Sequence, residues 1–324
     1  MAPSSAATDS DTTYLEGVVT SSTGSWYDVQ VGDRTVPSRM RGKFRLTEQD
    51  VTNPIAVGDR VTIRLAEEDQ TGFITEIHDR INKLSRRAAG PRAGQEHVLV
   101  ANVDRVWCVQ SVHLPALNPR FLDRLLVAAS ARDIPAGIII NKIDLATEAN
   151  KPEVMDFHLR YADLGYPVLA TSATEGRGLD RLGNAFEDQI NAITGPSGAG
   201  KSTLLNALEP DLDLRTSSVS TKTQKGTHTT THAELYPLSN GGYVVDTPGV
   251  REFGIHNVHP KDLAYYFHDL SPYVNDCQFP DCTHDHEPGC AVKKAVERGD
   301  IHPERYESYL NILESLQDEQ DPSR

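Results

Sequence analysis

Short runs of alternating hydrophobic and polar residues fill the first part of the chain. Between residues 14 and 80 these runs are rich in Val, Ile, Tyr and Thr, and turns containing Gly or Asp separate them. Such alternation is typical of half-buried β-strands, and several short strands in one segment favour a small barrel such as an OB-fold. The predicted strands are Tyr14–Thr20, Trp26–Val31, Thr35–Arg41, Arg60–Leu65 and Gly72–Ile77.

Farther along, continuous apolar runs replace the alternation. Val98–Ala101, Arg105–Val112 and Ala136–Ile140 are candidates for buried strands, whereas Arg120–Arg132 has apolar residues at helical spacing. Strands that alternate with helices predict an α/β domain around a parallel sheet.

These changes of pattern divide the chain into five predicted segments. The prediction is a disordered tail at 1–13, an OB-fold-like β-domain at 14–80, a linker at 81–96, an α/β domain at 97–258, and a helical domain at 259–324.

Composition excludes several classes of protein. With 32 Lys and Arg against 46 Asp and Glu, the net charge is −14, and the 38% of hydrophobic residues indicate a globular chain. No run approaches the ~20 apolar residues of a membrane span, and the N-terminus has no basic or apolar leader. Four cysteines do not make a disulfide scaffold. We therefore expect a cytoplasmic, reduced, monomeric protein that contacts no membrane.

A glycine-rich motif at 195–202 fits G-x-x-x-x-G-K-[ST], lying between a strand candidate and a segment of helical character. Its backbone N–H groups can bind phosphates at a helix N-terminus. Lys201 is expected to reach the β- and γ-phosphates as a catalytic group, and Ser202 to bind Mg²⁺. The alternative is an ordinary turn before a helix. The nucleotide-binding residues predicted here are Gly195, Pro196, Ser197, Gly198, Ala199, Gly200, Lys201, Ser202 and Thr203.

A second motif points to the base of the nucleotide. Asn141, Lys142, Ile143 and Asp144 follow an apolar run, in the pattern N-K-x-D. A carboxylate at Asp144 can accept hydrogen bonds from N1–H and N2 of guanine, a donor pair that adenine lacks, and such a site rejects the wrong base. Taken alone, the tetrad could be a surface turn. Two further residues, Ser172 and Ala173, form a weaker signal for a second loop at the base.

A third motif supplies candidate ligands for Mg²⁺. Asp246 ends an apolar run and begins the pattern D-x-x-G, in which the N–H of Gly249 can meet the γ-phosphate. One of the threonines at 229–231, with Thr230 as the candidate, would complete the Mg²⁺ shell beside Ser202 and Asp246. The alternative for D-x-x-G is a strand-ending turn.

The order of these motifs differs from that of an ordinary GTPase, in which the phosphate loop precedes N-K-x-D. The domain is therefore predicted to be circularly permuted, which is tolerable when the original termini lie close together at the surface. The order NKID, TSA, GPSGAGKS, GTHTTT and DTPGVREF resembles the circularly permuted, ribosome small-subunit-dependent GTPase A (RsgA) family over residues 14–310.

The resemblance implies hydrolysis of the β–γ phosphoanhydride of GTP to GDP, with Mg²⁺, on the small (30S) ribosomal subunit. It further implies stimulation by that subunit, binding to 16S rRNA, and a role in late 30S maturation and the release of assembly factors.

The residue that orients the attacking water is less clear from the sequence. Val250 follows the D-x-x-G motif, where Ras-like enzymes have a Gln, and a valine cannot orient water by hydrogen bonding. His228 is the best candidate because it can exchange a proton near neutral pH, and the resemblance implies the same role. The alternative is a solvent-exposed histidine among several others.

A Cys/His-rich loop predicts a structural metal. Cys277, Cys282 and Cys290 lie close together with one histidine, and this donor set matches a closed tetrahedral Zn²⁺ site. His284 and His286 are rival ligands by position, and the resemblance favours His284. The alternative is free cysteines in a polar loop. Cys108, in an apolar strand, is expected to belong to the core.

Two basic clusters are candidate contacts for RNA. The first lies in the small β-domain, with Trp26 and Tyr27 as further stacking candidates, and the second lies in the linker. The alternative is that these charged residues are exposed to solvent and bind no RNA. The predicted contact residues are Arg39, Arg41, Lys43, Phe44 and Arg45.

Two other functions remain open at this stage. The first is an RNA-binding assembly scaffold in which the bound nucleotide controls affinity and hydrolysis is incidental. Val250, which cannot orient a water molecule, keeps this alternative open. The second is an ATP-driven P-loop enzyme.

Overall fold

A computed structural model describes residues 13–40, 53–66, 71–87, 96–212, 234–246, 255 and 258–320. The predicted tail at 1–13 therefore lies almost wholly outside the described residues. The chain divides into two compact units, and one boundary between them lies between Val103 and Asp104. None of the helices in the described part of the chain is both long and apolar enough to span a membrane.

The first unit contains a closed five-stranded barrel with the strand order β1-β2-β3-β5-β4. Valine and isoleucine side chains from alternate positions fill its interior, and Val19, Val29 and Ile63 are wholly buried. This confirms the predicted OB-like barrel, which the period of two along each strand encodes. The strands are β1 (Tyr14–Thr23), β2 (Trp26–Val31), β3 (Arg34–Met40), β4 (Arg60–Leu65) and β5 (Gly72–Ile77).

A two-stranded sheet follows the barrel and corrects the interpretation of the linker. β6 (Lys83–Arg87) lies inside the segment predicted as a linker and pairs antiparallel with β7 (Glu96–Ala101). Leu84, 1% exposed, is an apolar position that the basic composition of the segment conceals. β7 was expected in the parallel sheet, but its backbone groups pair with β6 instead.

A six-stranded sheet with the order β10-β9-β8-β11-β13-β12 organises the α/β part of the chain. Every residue of β9 and β11 is buried, as expected for central strands of a parallel sheet covered on both faces. The elements are β8 (Arg105–Ser111), α1 (Pro119–Ser130), β9 (Ala136–Asn141), α2 (Lys151–Asp163), β10 (Val168–Ala170), α3 (Leu179–Phe186), β11 (Ile190–Thr194), α4 (Lys201–Leu208), β12 (Glu234–Pro237) and β13 (Tyr243–Asp246).

The C-terminal segment is helical and shares a core with α1. Two 3-10 helices, Pro260–Tyr266 and Ser271–Asp276, precede α5 (Ala291–Arg298) and α6 (Pro303–Gln320). Their apolar residues form one cluster with Val127 of α1.

A buried cluster of three charged side chains joins α6 to α1. The guanidinium of Arg305 on α6 donates to both carboxylate oxygens of Asp269, at 2.7 and 3.0 Å, and also to Asp123 on α1. Although burial opposes the charge, the two carboxylates raise the pKa of Arg305.

Candidate functional site

The glycine-rich loop joins the end of β11 to the first residue of α4. Gly195 has φ +148°, and a Cβ there would lie 2.2 Å from the carbonyl oxygen of Val109, so no other residue fits. Gly200, with φ +92°, would place a Cβ 2.6 Å from Nδ2 of Asn141. The glycines thus allow a tight turn that presents backbone N–H groups ahead of a helix N-terminus, an arrangement suited to phosphate.

Side chains of the N-K-x-D motif contact this loop directly. Nδ2 of Asn141 donates to the carbonyl oxygen of Ala199 at 3.0 Å, and Nζ of Lys142 donates to that of Gly198 at 2.7 Å. Oγ1 of Thr171 donates in turn to Oδ1 of Asn141 at 3.1 Å. Two motifs that are more than fifty residues apart in sequence therefore share one site.

The carboxylate of Asp144 is poised to accept hydrogen bonds. Oγ of the buried Ser172 donates to its Oδ1 at 2.5 Å, and this hydrogen bond is the main reason that the pKa of Asp144 is lowered. The group is consequently ionised at neutral pH. Ile143 and Ala173 are partly exposed beside it. An ionised acceptor with an accessible face matches the paired donors of guanine.

The phosphate-side residues occupy the loop and the first turn of α4. Nζ of Lys201 donates to the carbonyl oxygens of Gly195 and Pro196 at 2.8 and 2.9 Å, so its ammonium lies over the loop. Ser202 is partly exposed and Thr203 is exposed.

One contact in this site has no counterpart in the sequence motifs. The carbonyl oxygen of Leu114 accepts from Nζ of Lys142 at 2.6 Å. Leu114 has φ +48°, a left-handed conformation that is uncommon for leucine and that no sequence pattern indicates.

Several predicted site residues lie outside the described residues. They are His228, Thr230 and Gly249, together with Arg41, Lys43, Phe44 and Arg45. Asp246 is the last residue of β13, the strand next to β11.

The barrel residues predicted to contact RNA differ in accessibility. The guanidinium of Arg39 lies 3.8 Å from the ring centroid of Trp26. Tyr27, expected as a stacking residue, is 6% exposed and packs in the barrel core, so it is not available to a base. It points inward because Tyr27 follows Trp26 on β2, where successive side chains face opposite sides.

Four potential metal ligands converge in the C-terminal segment. The ligand atoms of Cys277, Cys282, His284 and Cys290 all lie within 4.8 Å of one another. Sγ of Cys277 is 3.9 Å from Sγ of Cys290, too far for a disulfide, and Nδ1 of His284 lies 3.4 and 3.5 Å from these two sulfur atoms. A tetrahedral Zn²⁺ with its usual bond lengths gives ligand–ligand distances of roughly 3.5–3.8 Å, so the donor set fits this ion.

The surrounding residues hold these ligands in place. The backbone N–H of Ala291 donates to Sγ of Cys277 at 3.3 Å, and the phenol of Tyr306 donates to the carbonyl oxygen of His284 at 2.6 Å. Burial is the main cause that raises the pKa of Cys282 to about 12 and lowers that of His284. A bound cation would offset the free-energy cost of burying thiolates here. His286, the rival ligand, has an 80% exposed side chain and is outside the cluster.

Comparison with known proteins identifies two family matches. The family described as RsgA GTPase matches residues 77–256, and the RsgA N-terminal domain matches residues 16–74. The chain is 46% identical over 311 residues to a small ribosomal subunit biogenesis GTPase RsgA from Gemmatimonas aurantiaca, covering 94% of this chain and 98% of that protein. It is 40% identical over 305 residues to RsgA 2 from Bacteroides thetaiotaomicron, with the same coverage of each chain.

Solved structures agree with these matches. YjeQ from Thermotoga maritima superposes with a TM-score of 0.78 at 35% identity, covering 94% of this chain and 99% of that one. YloQ, a circularly permuted GTPase, superposes with a TM-score of 0.76 at 30% identity, covering 97% and 99%. The predicted permutation is therefore confirmed, and the chain belongs to the RsgA family of circularly permuted GTPases.

Proposed function

We propose that this GTPase acts in biogenesis of the small ribosomal subunit, hydrolysing GTP when it is bound to that subunit. Family membership makes GTP hydrolysis its activity, and the names of its relatives give small-subunit biogenesis as their role. The proposal extends to late 30S maturation, contact with 16S rRNA and release of assembly factors.

The observation that carries the nucleotide site is the pair of hydrogen bonds from Asn141 and Lys142 to carbonyl oxygens of the phosphate loop. They support a single pocket in which Asp144 selects guanine and the loop 195–202 binds the phosphates. The buried amide of Asn141 braces the loop, and the stem of Lys142 would cover a face of the base.

Each group of residues then has a distinct task. Lys201 leaves the loop carbonyls to meet the β- and γ-phosphates, while Ser202, Thr230 and Asp246 would hold Mg²⁺, which neutralises charge on the phosphates when bound. His228 orients the attacking water, since Val250 cannot.

A structural Zn²⁺ is proposed for the Cys277, Cys282, His284 and Cys290 cluster. Three thiolates and one imidazole leave no open position for substrate, so the ion would supply folding free energy to a loop with little core of its own. The distances between the sulfur atoms and Nδ1 of His284 support this assignment.

The domain arrangement is proposed as an RNA-binding barrel at 14–80, a permuted GTPase domain at 97–258 and a zinc-binding helical domain at 259–324. The strand β6 lies within residues 81–96, between the first two of these parts.

Single-turnover GTP hydrolysis, measured with and without purified small subunits, tests the proposal. A large acceleration by small but not large subunits is expected. Hydrolysis that small subunits leave unchanged, despite nucleotide-dependent binding to them, favours the second candidate, a nucleotide-controlled scaffold, for which Val250 is the motivating feature.

A further inference from the structure

A groove of about 610 Å³, large enough for a ligand, lies between α3, the end of α4 and the turn that joins β12 to β13. Residues 207–209 line it at the C-terminal end of α4. Lys201 lies at the other end of this helix, roughly 10 Å away along the axis. None of the described residues that line the groove belongs to the proposed nucleotide site. The groove is therefore a separate feature of the α/β part of the chain.

The floor of the groove is apolar. Leu238, in the turn after β12, is 7% exposed and belongs to the core cluster that also contains Trp107 and Phe186. Leu179 on α3 and Leu208 on α4 are partly buried against the same cluster. All three leucines line the groove. An apolar side chain of a ligand would therefore lose contact with water if it were inserted among them.

A glycine inside a helix keeps the groove open. Gly183 lies within α3, where glycine is less favourable than alanine because it has more backbone freedom to lose on folding. Among the described residues, a Cβ at this position would meet only Cδ1 of Leu208, at an ordinary contact distance of 3.6 Å. Packing in the described part of the chain therefore does not require glycine here. The effect of the missing side chain is to leave space above Leu208.

The rim of the groove is acidic. Asp180 and Glu187 are exposed and lie seven residues apart, on one face of α3. Glu209 is partly buried, and its Oε2 accepts from the backbone N–H of Ser239 at 2.7 Å. No lysine or arginine of the described residues lines the groove, and none of its three carboxylates forms an ion pair with them. The negative charge is therefore available to a cationic ligand.

We propose that this groove binds a basic segment of a partner protein, which inserts an apolar side chain over Leu208 and Leu238. Lysine or arginine side chains of that segment pair with Asp180, Glu187 and Glu209. Carboxylates around an apolar floor are complementary to such a segment, and complementary charge also steers the partner and fixes its orientation. The inference goes beyond the proposed function and does not depend on it, because it concerns a surface outside the nucleotide site.

Other occupants match the groove less well. RNA would bring its phosphates against three carboxylates, whereas nucleic-acid sites neutralise phosphates with lysine and arginine. A small organic cation would stay largely in solvent, because the rim at Asp180 and Glu187 is exposed, and small-molecule sites usually bury most of the ligand. A second copy of the chain has the same net charge of −14, which opposes its approach to an acidic rim.

Fluorescence anisotropy of a short labelled peptide of repeating Lys-Lys-Leu tests the inference on the full chain. Gly183→Leu fills the space above Leu208, so it should raise the Kd of the peptide roughly 10- to 150-fold by excluding one apolar side chain. Gly183→Ala is the matched control, because its methyl group makes an ordinary contact with Leu208 and leaves most of the groove open. This control should bind the peptide like the unaltered protein.

A charge reversal tests the rim. Glu187→Lys should raise the Kd of the peptide roughly 2- to 30-fold, because it replaces one exposed attraction by a repulsion of similar size. Asp163→Lys is its control, since Asp163 is an exposed carboxylate at the end of α2 that does not line the groove, and the net charge changes equally. A peptide of repeating Lys-Lys-Ser, which lacks the apolar anchor, should bind the unaltered protein more weakly than Lys-Lys-Leu.

Thermal unfolding of each variant separates lost binding from lost folding, and if Gly183→Leu fails to fold, the comparison of Glu187→Lys with Asp163→Lys decides. The inference is wrong if the groove variants bind the peptide like their controls, or if Lys-Lys-Ser binds as tightly as Lys-Lys-Leu. It is also wrong if the groove substitutions weaken binding of spermidine or single-stranded RNA instead of the peptide. No ribosomal subunit is present in this assay, so its outcome and that of the proposed function are independent.

Discussion

Replacing Arg305 by alanine should strongly destabilise the interface between α1 and α6. The side chain of Arg305 is 2% exposed, and its partners Asp123 and Asp269 are 0% and 5% exposed. The change leaves two buried carboxylates without a cation, and breaking a buried pair in this way costs about 3–5 kcal/mol. At about 2–4 °C per kcal/mol for a unit of this size, the Tm should fall by roughly 6–20 °C.

The same two helices provide a matched control. Arg120 on α1 pairs with Glu307 on α6, but these side chains are 64% and 56% exposed. An exposed pair contributes about 0–1 kcal/mol, so Arg120→Ala should lower the Tm by no more than a few degrees. Both variants are compared by circular dichroism at fixed nucleotide and Zn²⁺ concentrations.

The loss of stability caused by Arg305→Ala should depend on pH. Burial raises the pKa of Asp123, and the charge of Arg305 opposes that shift in the unaltered protein. Without the arginine the folded-state pKa lies above the unfolded value of about 3.9. The stability lost in Arg305→Ala is therefore greatest at a pH above the folded-state pKa of Asp123. It becomes smaller as the pH falls towards the unfolded-state pKa. Equal Tm losses in the two variants, or a loss of stability that does not shrink as the pH is lowered to about 4, would refute this reasoning.

Three other changes have definite expected outcomes. Asp144→Asn removes a charged acceptor of two hydrogen bonds worth about 1.5–3 kcal/mol each, so the Kd for GTP should rise roughly 10²- to 10⁴-fold and the preference over ATP should vanish in a competition assay. His228→Ala should slow subunit-stimulated hydrolysis roughly 10²- to 10⁴-fold with an unchanged Kd for GTP, and an unchanged rate would exclude it as the water-orienting residue. Cys277→Ser should reduce bound Zn²⁺, measured by metal analysis, well below one ion per chain and lower the Tm, whereas full occupancy would contradict the assigned ligand set.

Strands were predictable from the sequence wherever their buried side chains follow a regular pattern of apolar residues. The alternation in β1–β5 and the apolar runs of β8 and β9 anticipate the observed elements, because one face or both faces of each strand must be buried. β6 was missed because a single buried leucine, Leu84, among basic residues carries no readable period.

Contacts that depend on tertiary structure were not predictable in the same way. Arg305 donates to Asp269 and Asp123, which are 36 and 182 residues away in the sequence. No sequence motif indicates contacts at such separations. The carbonyl oxygen of Leu114 accepts from Lys142 at a position where the backbone is left-handed, and no sequence pattern indicates that conformation. By contrast, the pairing of Asn141 with the phosphate loop could be anticipated, because both motifs follow parallel strands and the ends of such strands lie at one edge of the sheet.

The central claim is that residues 141–144 and 195–202 bind one guanine nucleotide between them. A crystal structure of the protein with Mg²⁺ and a non-hydrolysable GTP analogue tests it most directly. The account predicts N1 and N2 of guanine within about 2.7–3.2 Å of the carboxylate of Asp144, with the phosphates on the backbone N–H groups of the loop. A purine bound away from Asp144, or phosphates bound away from the loop, would contradict it.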